Sequence, residues 1–352
     1  MQVVVIPKRG GYDKLEVHER PSPALASGQV RIEVDAIGIN YADCVIRMGL
    51  YKSAKEFVGW PITPGFEVAG IVTEVADDVT DLEEGAEVMA VTRFGGYVSE
   101  LCVSRSQVFA RPKGFDAAAS AGFCAVHLTA DYAMHELAGA GQGDPVLIHS
   151  AAGGVGTVLV QLARHRGCHV VGVVGGSHKV DVVRALGADA VIDKSTEDLW
   201  GAARGHAPDG FKAVFDANGV ATLGQSYEHL APTGRVVVYG FATMLPRAGQ
   251  RMNYLKLAWD WLRTPRFNPL DLTSQNRSVM GFNLSYMFDH TALLERSMAR
   301  LLELAEVGAL RPPPVTRYRL SDVGQAHHDL ETGRTVGKLV LVPDARYEAG
   351  SR

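Results

Sequence analysis

The feature that most constrains this chain is an alternation of short apolar strands and helical segments that starts at Pro145. The runs 146–149 and 169–174 have strand character, and the helical segments behind them end at Gly167 and Gly187. Shorter strand-like runs follow at 190–192, 213–215, 235–239 and 278–282. Strands that alternate with helices predict a parallel, doubly wound sheet with right-handed crossovers. The predicted fold class is therefore α/β.

The residues before this alternation are β-rich. Strand-like runs separated by Gly, Pro and Asp turns lie at 3–6, 30–34, 68–75, 87–91 and 97–103. This spacing is typical of a compact antiparallel barrel or sandwich, and a length of 352 residues predicts two domains. We expect a β-rich domain over 1–117 and 309–352, and an α/β domain over 118–308 with an inserted segment at 243–277.

Composition excludes several classes of protein. The 35 Lys and Arg residues against 39 Asp and Glu give a formal charge of −4, so no basic field for nucleic acid is expected. The four cysteines form no C-x-x-C pair, which favours reduced thiols and a cytoplasmic location over a disulfide framework. No apolar run is long enough to predict a transmembrane helix, and the N-terminus does not resemble a signal peptide.

The segment from His149 to Gly156 follows a predicted strand and opens a predicted helix. It matches G-x-G-x-x-G with Ala151 at the first position. In a strand–turn–helix context this pattern indicates a Rossmann turn, in which backbone N–H groups at the helix N-terminus bind the diphosphate of a dinucleotide. The alternative is a tight turn without a ligand. The residues predicted to bind the diphosphate are Ala152, Gly153, Gly154, Val155 and Gly156.

The end of the next strand favours NADPH over NADH. NAD-binding sites usually place Asp or Glu about 20 residues after the glycine turn, where it binds the ribose 2′-hydroxyl. Here that place holds Gly176 and Ser177, with Lys179 close by and Lys194 after the third strand. A hydroxyl and two ammonium groups attract a 2′-phosphate, whereas a carboxylate repels it. The alternative is that these are ordinary solvated residues.

Two motifs of the β-rich domain resemble those of the medium-chain dehydrogenase/reductase superfamily. Its zinc alcohol dehydrogenases bind catalytic zinc with the Cys of a Cys-x-x-Asp segment and the His of a Gly-His-Glu segment. Here these segments read Asn40-Tyr-Ala-Asp43 and Gly65-Phe66-Glu67. Asn and Phe are not plausible zinc ligands, so no metal is expected. Asp43 and Glu67 are then expected to serve in local hydrogen bonding.

Further runs resemble the zinc-free quinone oxidoreductases, which include zeta-crystallin. These runs are Ile46–Tyr51, Pro64–Gly70, Gly95–Tyr97 and Leu128–Ala130. The closest resemblance is to the branch similar to vesicle amine transport protein, and the runs that carry it are 151–156, 238–240, 275–284 and 336–343. Lys194 departs from this pattern, because many relatives have Tyr there.

The resemblance implies a GroES-like catalytic domain, a Rossmann domain that binds NADPH, and a homodimer formed near 278–284. It points to Asn40 and Tyr51 as residues that line the nicotinamide end and polarise a carbonyl. Purely structural roles for both remain open, and Tyr51 is the only weak candidate for a proton donor. The further cofactor-binding residues implied are Thr129, Asn218, Tyr239, Gly240, Gly281, Phe282, Asn283, Gly337 and Lys338.

The function predicted is hydride transfer from NADPH to a quinone or an α,β-unsaturated carbonyl. Two alternatives remain: a non-catalytic protein that carries NADPH and binds a lipid or a partner, and an enoyl reductase for carrier-bound thioesters. The insertion 243–277 contains Trp259 and Trp261 among basic residues, including Arg247 and Arg251. It is interpreted first as a packed helix and loop, and otherwise as a lid, a subunit contact or a peripheral membrane segment.

Overall fold

The computed structural model describes residues 1–246, 248–250 and 252–350. The chain divides into two compact units. Unit 1 comprises 1–126 and 285–352, and unit 2 comprises 127–284. The domain boundaries expected from the sequence fall nine and 24 residues away from these divisions, because the helix at Thr291–Glu306 belongs to unit 1.

Helices and strands are numbered in chain order. The strands are β1 (Gln2–Val5), β2 (Glu16–Glu19), β3 (Gln29–Ile39), β4 (Glu67–Val75), β5 (Glu87–Val91), β6 (Glu100–Ser104), β7 (Val108–Ala110), β8 (Pro145–Ile148), β9 (His169–Val174), β10 (Ala190–Asp193), β11 (Phe211–Asp216), β12 (Leu230–Val238), β13 (Ser278–Gly281), β14 (Val315–Arg319) and β15 (Lys338–Val342). The α-helices are α1 (Tyr41–Arg47), α2 (Lys52–Phe57), α3 (Ala117–Ala121), α4 (Cys124–Asp131), α5 (Gly154–His165), α6 (Val180–Ala185), α7 (Leu199–His206), α8 (Leu223–Glu228), α9 (Tyr254–Arg263), α10 (Pro269–Gln275), α11 (Thr291–Glu306), α12 (Val323–Glu331) and α13 (Asp344–Gly350). A π-helical stretch, Tyr132–Ala138, continues from α4.

Unit 1 is built on a mixed sheet with the order β14-β15-β3-β4-β5-β7, and β6 also pairs with β3. The pairs are antiparallel except for β14 with β15, which run parallel. The β-rich interpretation of this half is thus confirmed. The strand predicted at 97–103 starts only at Glu100, since the Tyr97 N–H bonds the carbonyl of Pro64 instead of a sheet neighbour.

Unit 2 contains a six-stranded parallel sheet with the order β10-β9-β8-β11-β12-β13. The chain moves outward from β8 to β10 and then returns to β11 on the other side of β8. This reversal is the topological switch point at which doubly wound sheets bind ligands. The predicted α/β class is confirmed, and all six strands present their carboxyl ends along one edge.

The insertion forms α9 and α10, but the interpretation of a packed helix is wrong for most of α9. Leu255 is 85% exposed, Trp259 59% and Trp261 64%. Asp260 is the one residue of α9 that is buried. Arg247 and Arg251 lie outside the described residues. Among the residues described, no helix is long and apolar enough to cross a membrane.

Candidate functional site

The glycine turn of unit 2 joins β8 to α5 at the centre of the sheet. Gly153 is the N-cap of α5 and contributes no side chain, so the first N–H groups of the helix have no side-chain cap. A Cβ at Gly156 would lie 2.3 Å from the carbonyl oxygen of Ser150, so only glycine allows this close approach. The turn therefore presents backbone donors at the positive end of a twelve-residue helix.

Asn218 lies beside this turn, where β11 ends. Its Oδ1 accepts a hydrogen bond of 3.2 Å from the Ser150 hydroxyl. Its Nδ2 is buried and has no partner in the described part of the chain. A buried amide without an acceptor costs free energy. Asn218, a predicted cofactor-binding residue, therefore has an unused N–H donor next to the glycine turn, which fits a bound dinucleotide.

A buried polar network, which was not predicted from the sequence, adjoins the glycine turn. Asp216 Oδ2 accepts from Thr222 and Ser226 at 2.8 Å each, and its Oδ1 accepts from the Asn218 N–H. His149 Nε2 lies 3.1 Å from the Ser226 hydroxyl. Burial lowers the pKa of His149 to about 4, so this imidazole is neutral at pH 7. The only signal in the sequence was the Asp at the end of a predicted strand.

The four residues predicted to bind the 2′-phosphate follow the ends of β9 and β10; they are Gly176, Ser177, Lys179 and Lys194. Lys179 is 9% exposed, and burial together with the charge of Lys194 lowers its pKa. Two ammonium groups that repel each other favour a bound anion between them. The Ser177 hydroxyl donates to Asp193 at 2.6 Å, and the Ser195 hydroxyl donates to the same carboxylate at 2.6 Å. Because the single Ser177 proton is used here, the lysines rather than Ser177 are suited to hold a phosphate.

The remaining predicted cofactor residues are distributed as follows. Tyr239 and Gly240 follow β12, and Gly281, Phe282 and Asn283 lie at the end of β13, so these five share the carboxyl edge with the glycine turn and Gly176. Thr129 lies on α4, in the part of this helix that belongs to unit 2. Gly337 and Lys338 belong to unit 1, so the geometry of unit 2 does not bring them to the turn. Their cofactor role stays a prediction.

In unit 1, Asn40 is joined to two charged residues that are distant in sequence. Lys338 Nζ lies 2.7 Å from Asn40 Oδ1 and 2.7 Å from Glu67 Oε1. Asn40 Nδ2 donates to the same Glu67 oxygen at 2.9 Å. The second Glu67 oxygen accepts from the Ala125 N–H at 2.7 Å. We call Asn40, Glu67 and Lys338 the polar triad.

Asp43 holds the backbone on either side of the triad. Its two oxygens accept from the N–H groups of Asn40 at 2.8 Å and Gly65 at 2.9 Å. Burial raises the pKa of Asp43 to about 7, partly offset by these hydrogen bonds. The side chain therefore fixes the start of α1 against the segment before β4. The hydrogen-bonding role expected for Asp43 agrees with these contacts.

Tyr51 is the N-cap residue of α2 and lies in an aromatic cluster. Its ring centroid is 6.0 Å from that of Phe66 and 6.4 Å from that of Phe94. Its hydroxyl is 2.8 Å from the hydroxyl of Ser285. Since Phe66 precedes Glu67 in the chain, Tyr51 and Asn40 both lie around the start of β4. The ring of Tyr51 therefore packs among aromatic side chains, and its hydroxyl is held by Ser285.

Comparison with known families agrees with both halves. The alcohol dehydrogenase GroES-like domain profile matches residues 26–136, and a zinc-binding dehydrogenase profile matches residues 186–341. The synaptic vesicle membrane protein VAT-1 homolog of Rattus norvegicus is 32% identical over 350 residues, which is 99% of this chain and 85% of that protein. The chain belongs to the medium-chain dehydrogenase/reductase superfamily. Its place is in the zinc-free, quinone-oxidoreductase-like branch of that superfamily.

Other members of the superfamily are similar over their full length. The 2-haloacrylate reductase of a Burkholderia species is 30% identical over 350 residues, 98% of this chain and 100% of that enzyme. The crystal structure of Escherichia coli quinone oxidoreductase complexed with NADPH has a TM-score of 0.83 at 25% identity and covers 97% of this chain and 100% of its own. A mycobacterial protein complexed with NADPH has a TM-score of 0.82 at 28% identity, over 97% and 100% of the two chains.

The zinc site of the superfamily does not fit the residues present here. Asn40 and Phe66 stand where zinc enzymes have Cys and His, and the ammonium of Lys338 already neutralises Glu67. A second cation beside this ammonium would be repelled. The polar triad therefore replaces a metal-ligand set by an internal ion pair.

One other group in the described residues has metal-ligand types: Cys44, His327 and Glu331 have ligand atoms within 4.8 Å of one another. The charge around them opposes a cation. Arg47 forms a buried ion pair with Glu331, and Tyr12 donates to the other Glu331 oxygen at 2.6 Å. Burial raises the pKa of the Cys44 thiol. Glu331 therefore belongs to a buried ion pair with Arg47 inside unit 1, and not to a metal-ligand set.

Proposed function

We propose that this protein is a zinc-free, NADPH-dependent reductase of acceptors with a conjugated carbonyl, namely quinones or α,β-unsaturated carbonyl compounds. The observation that carries the proposal is the glycine turn with the unused Asn218 amide and the two lysines beside it. The superfamily relatives whose names include a reductase and a quinone oxidoreductase support the reaction class.

Unit 2 supplies the groups that bind the cofactor. The backbone of Ala152, Gly153, Gly154, Val155 and Gly156 faces the diphosphate in this proposal. Lys179 and Lys194 attract the 2′-phosphate through charge. The bound cofactor supplies a hydride from C4 of its nicotinamide. The preference for NADPH over NADH is thus attributed to these two ammonium groups.

Unit 1 supplies donors for the acceptor. Hydride addition to a quinone or an enone leaves negative charge on the acceptor oxygen, and donors aimed at that oxygen lower the barrier. Asn40 offers an amide N–H and Tyr51 a phenol O–H. The proton that completes the reduction comes from solvent or through Tyr51, so that one hydride and one proton are added to the acceptor.

The test is the oxidation of NADPH at 340 nm with 9,10-phenanthrenequinone, 1,4-benzoquinone and a short enone, in the presence of a chelator and with NADH as the control. Chelator-resistant turnover with a preference for NADPH is expected. The double variant Lys179→Met/Lys194→Met should reduce this preference about 10- to 100-fold, as expected for two lost charged contacts. Turnover that needs added zinc, or no turnover with any acceptor, would overturn the proposal.

A second candidate function is suggested by α9. Leu255, Trp259 and Leu262 lie at i, i+4 and i+7 on one helix face, and all three are exposed. Arg263 is the last residue of α9 and Arg266 follows three residues later. Basic residues next to an apolar helix face are typical of helices that lie on acidic membranes. The rat relative is named as a vesicle membrane protein. This candidate is a peripheral membrane-binding protein that carries NADPH.

Co-sedimentation with phosphatidylcholine vesicles, with and without phosphatidylserine, separates the two functions. Binding that is lost in Leu255→Ser/Trp259→Ser/Leu262→Ser, but kept in Val307→Ser, would favour the membrane function. Val307 is a fair control because it is 69% exposed in unit 1. An absence of binding together with NADPH turnover would leave the reductase alone.

A further inference from the structure

We propose that Lys338 is a positioning residue, which holds the amide of Asn40 with its N–H group available to the acceptor. The inference rests on the proposed reductase function. It assigns to the Lys338 side chain a role in the chemistry of unit 1.

The partners of Asn40 allow only one orientation of its amide. An ammonium group donates hydrogen bonds and accepts none, and a carboxylate accepts and does not donate. Lys338 lies 2.7 Å from Asn40 Oδ1, and Glu67 Oε1 lies 2.9 Å from Nδ2. Rotating the amide by 180° would place its NH₂ group against the ammonium and its oxygen against the carboxylate. Both contacts would then be repulsive instead of charge-assisted.

The amide is the outward end of the polar triad. Lys338 is 3% exposed and Glu67 is fully buried, whereas Asn40 is half-buried. One Asn40 amide hydrogen is used by Glu67, and the other has no acceptor among the described residues. The triad therefore presents a single kind of group to an incoming molecule, an N–H donor. A donor is what a carbonyl oxygen that gains negative charge requires.

The surroundings leave the triad little freedom to rearrange. A Cβ at Gly122 would lie 2.4 Å from Lys338 Cγ, and a Cβ at Gly38 would lie 2.5 Å from Glu67 Oε1. The two glycines thus make room for side chains that would otherwise clash with their neighbours. The Ala125 N–H holds the second Glu67 oxygen at 2.7 Å. Lys338 and Glu67 are therefore fixed before a substrate arrives, which is the condition for preorganised catalysis.

A double-mutant cycle tests the proposal. Lys338→Met/Glu67→Gln removes both charges with little change in volume, and Asn40→Ala is introduced into this background and into the natural protein. We expect Asn40→Ala to lower kcat about 10- to 100-fold in the natural protein, in line with the loss of one carbonyl-polarising donor. In the neutral background it should lower kcat less than about threefold, because the free amide no longer favours one orientation. The dissociation constant of NADPH is measured in each variant, so that kcat is compared at saturating cofactor.

A matched control uses the other buried ion pair of unit 1. Arg47→Met/Glu331→Gln also removes two buried charges, and this pair does not contact Asn40. The effect of Asn40→Ala on kcat should remain about 10- to 100-fold in that background. An equal effect of Asn40→Ala in all three backgrounds would overturn the role of Lys338. If the neutral triad variant does not fold, Lys338→Gln/Glu67→Gln serves in its place, since a glutamine amide can donate to Asn40 or accept from it and so no longer imposes one orientation.

A readout without catalysis separates this inference from the proposed function. In ¹⁵N NMR spectra, the side-chain amide signal of Asn40 is identified by its loss in Asn40→Ala. We expect its two hydrogens to differ in chemical shift in the natural protein and to become more alike in the neutral triad variant. Coinciding Asn40 signals in the two proteins would contradict the inference whether or not NADPH is oxidised. An absence of turnover with a clear shift change would remove only the reductase function.

Discussion

The glycine turn of unit 2 and the polar triad of unit 1 are built from different parts of the polypeptide. The turn uses main-chain groups within eight residues, 149–156, and its side chains are mostly hydrogen or methyl. The triad uses three polar side chains, and its partners Asn40 and Lys338 are 298 positions apart. The first is a local backbone conformation, and the second is a tertiary arrangement of charge. The two sites should therefore respond differently to mutation.

The largest effect is expected from breaking the triad. Lys338→Met leaves the Glu67 carboxylate buried without its ammonium, which should lower the free energy of unfolding by about 3–5 kcal/mol. Urea unfolding followed by circular dichroism measures this. Restoring neutrality with Glu67→Gln should recover much of the loss. Lys52→Met, which breaks a surface pair whose lysine is 82% exposed, should have no measurable effect. Equal stability of Lys338→Met and the natural protein would show that the triad is not a buried ion pair.

An intermediate effect is expected from acid, and it compares the two units directly. Burial lowers the pKa of His149 in unit 2 to about 4 and that of His327 in unit 1 to about 3, from 6.5. Below pH 6.5 these two histidines bind protons in the unfolded chain but not in the folded chain, so their contribution to stability falls as pH falls toward these values. Between pH 8 and pH 5, each of these histidines should lower the free energy of unfolding by about 2 kcal/mol.

Single substitutions separate the two histidines. His149→Gln should reduce the loss of stability between pH 8 and pH 5 by about 2 kcal/mol, because the titrating group of unit 2 is gone. Unfolding curves at both pH values measure the difference. His18→Gln is the control, since His18 is exposed on β2. An unchanged pH dependence in His149→Gln would mean that this imidazole is not held neutral by burial.

A smaller effect is expected from the glycine turn. Gly156→Ala places a Cβ 2.3 Å from the Ser150 carbonyl oxygen, so the turn must open. The affinity for NADPH should fall about tenfold, which corresponds to about 1.4 kcal/mol. Fluorescence titration measures it. Gly205→Ala is the matched control in unit 2, because its Cβ would meet no atom within 4 Å. The same affinity in both variants would contradict a phosphate-binding role for the turn.

The two sites also differ in how far the sequence could predict them. The strand–turn–helix around Gly153 was predicted from local pattern, since a glycine turn between an apolar strand and a helix is encoded by adjacent residues. Asn40 was predicted from a resemblance, but its pairing with Lys338 was not. No pattern links residues that separate strands bring together. The exposure of α9 was not predicted for a related reason, because apolar side chains in a helical segment do not indicate which other element covers them.

The smallest effect is expected at Ser177, and it sharpens what determines the cofactor preference. The Ser177 hydroxyl gives its only proton to Asp193 at 2.6 Å, so it has none left for a phosphate. Ser177→Ala should therefore change the ratio of NADPH to NADH affinity by less than about threefold, below the roughly 10-fold or greater change expected when Lys179 and Lys194 are removed. Both ratios follow from fluorescence titrations with the two cofactors. A larger effect of Ser177→Ala than of the lysine variant would mean that the hydroxyl turns from Asp193 to the phosphate on binding, and that side chains rather than charge alone complete the site in unit 2.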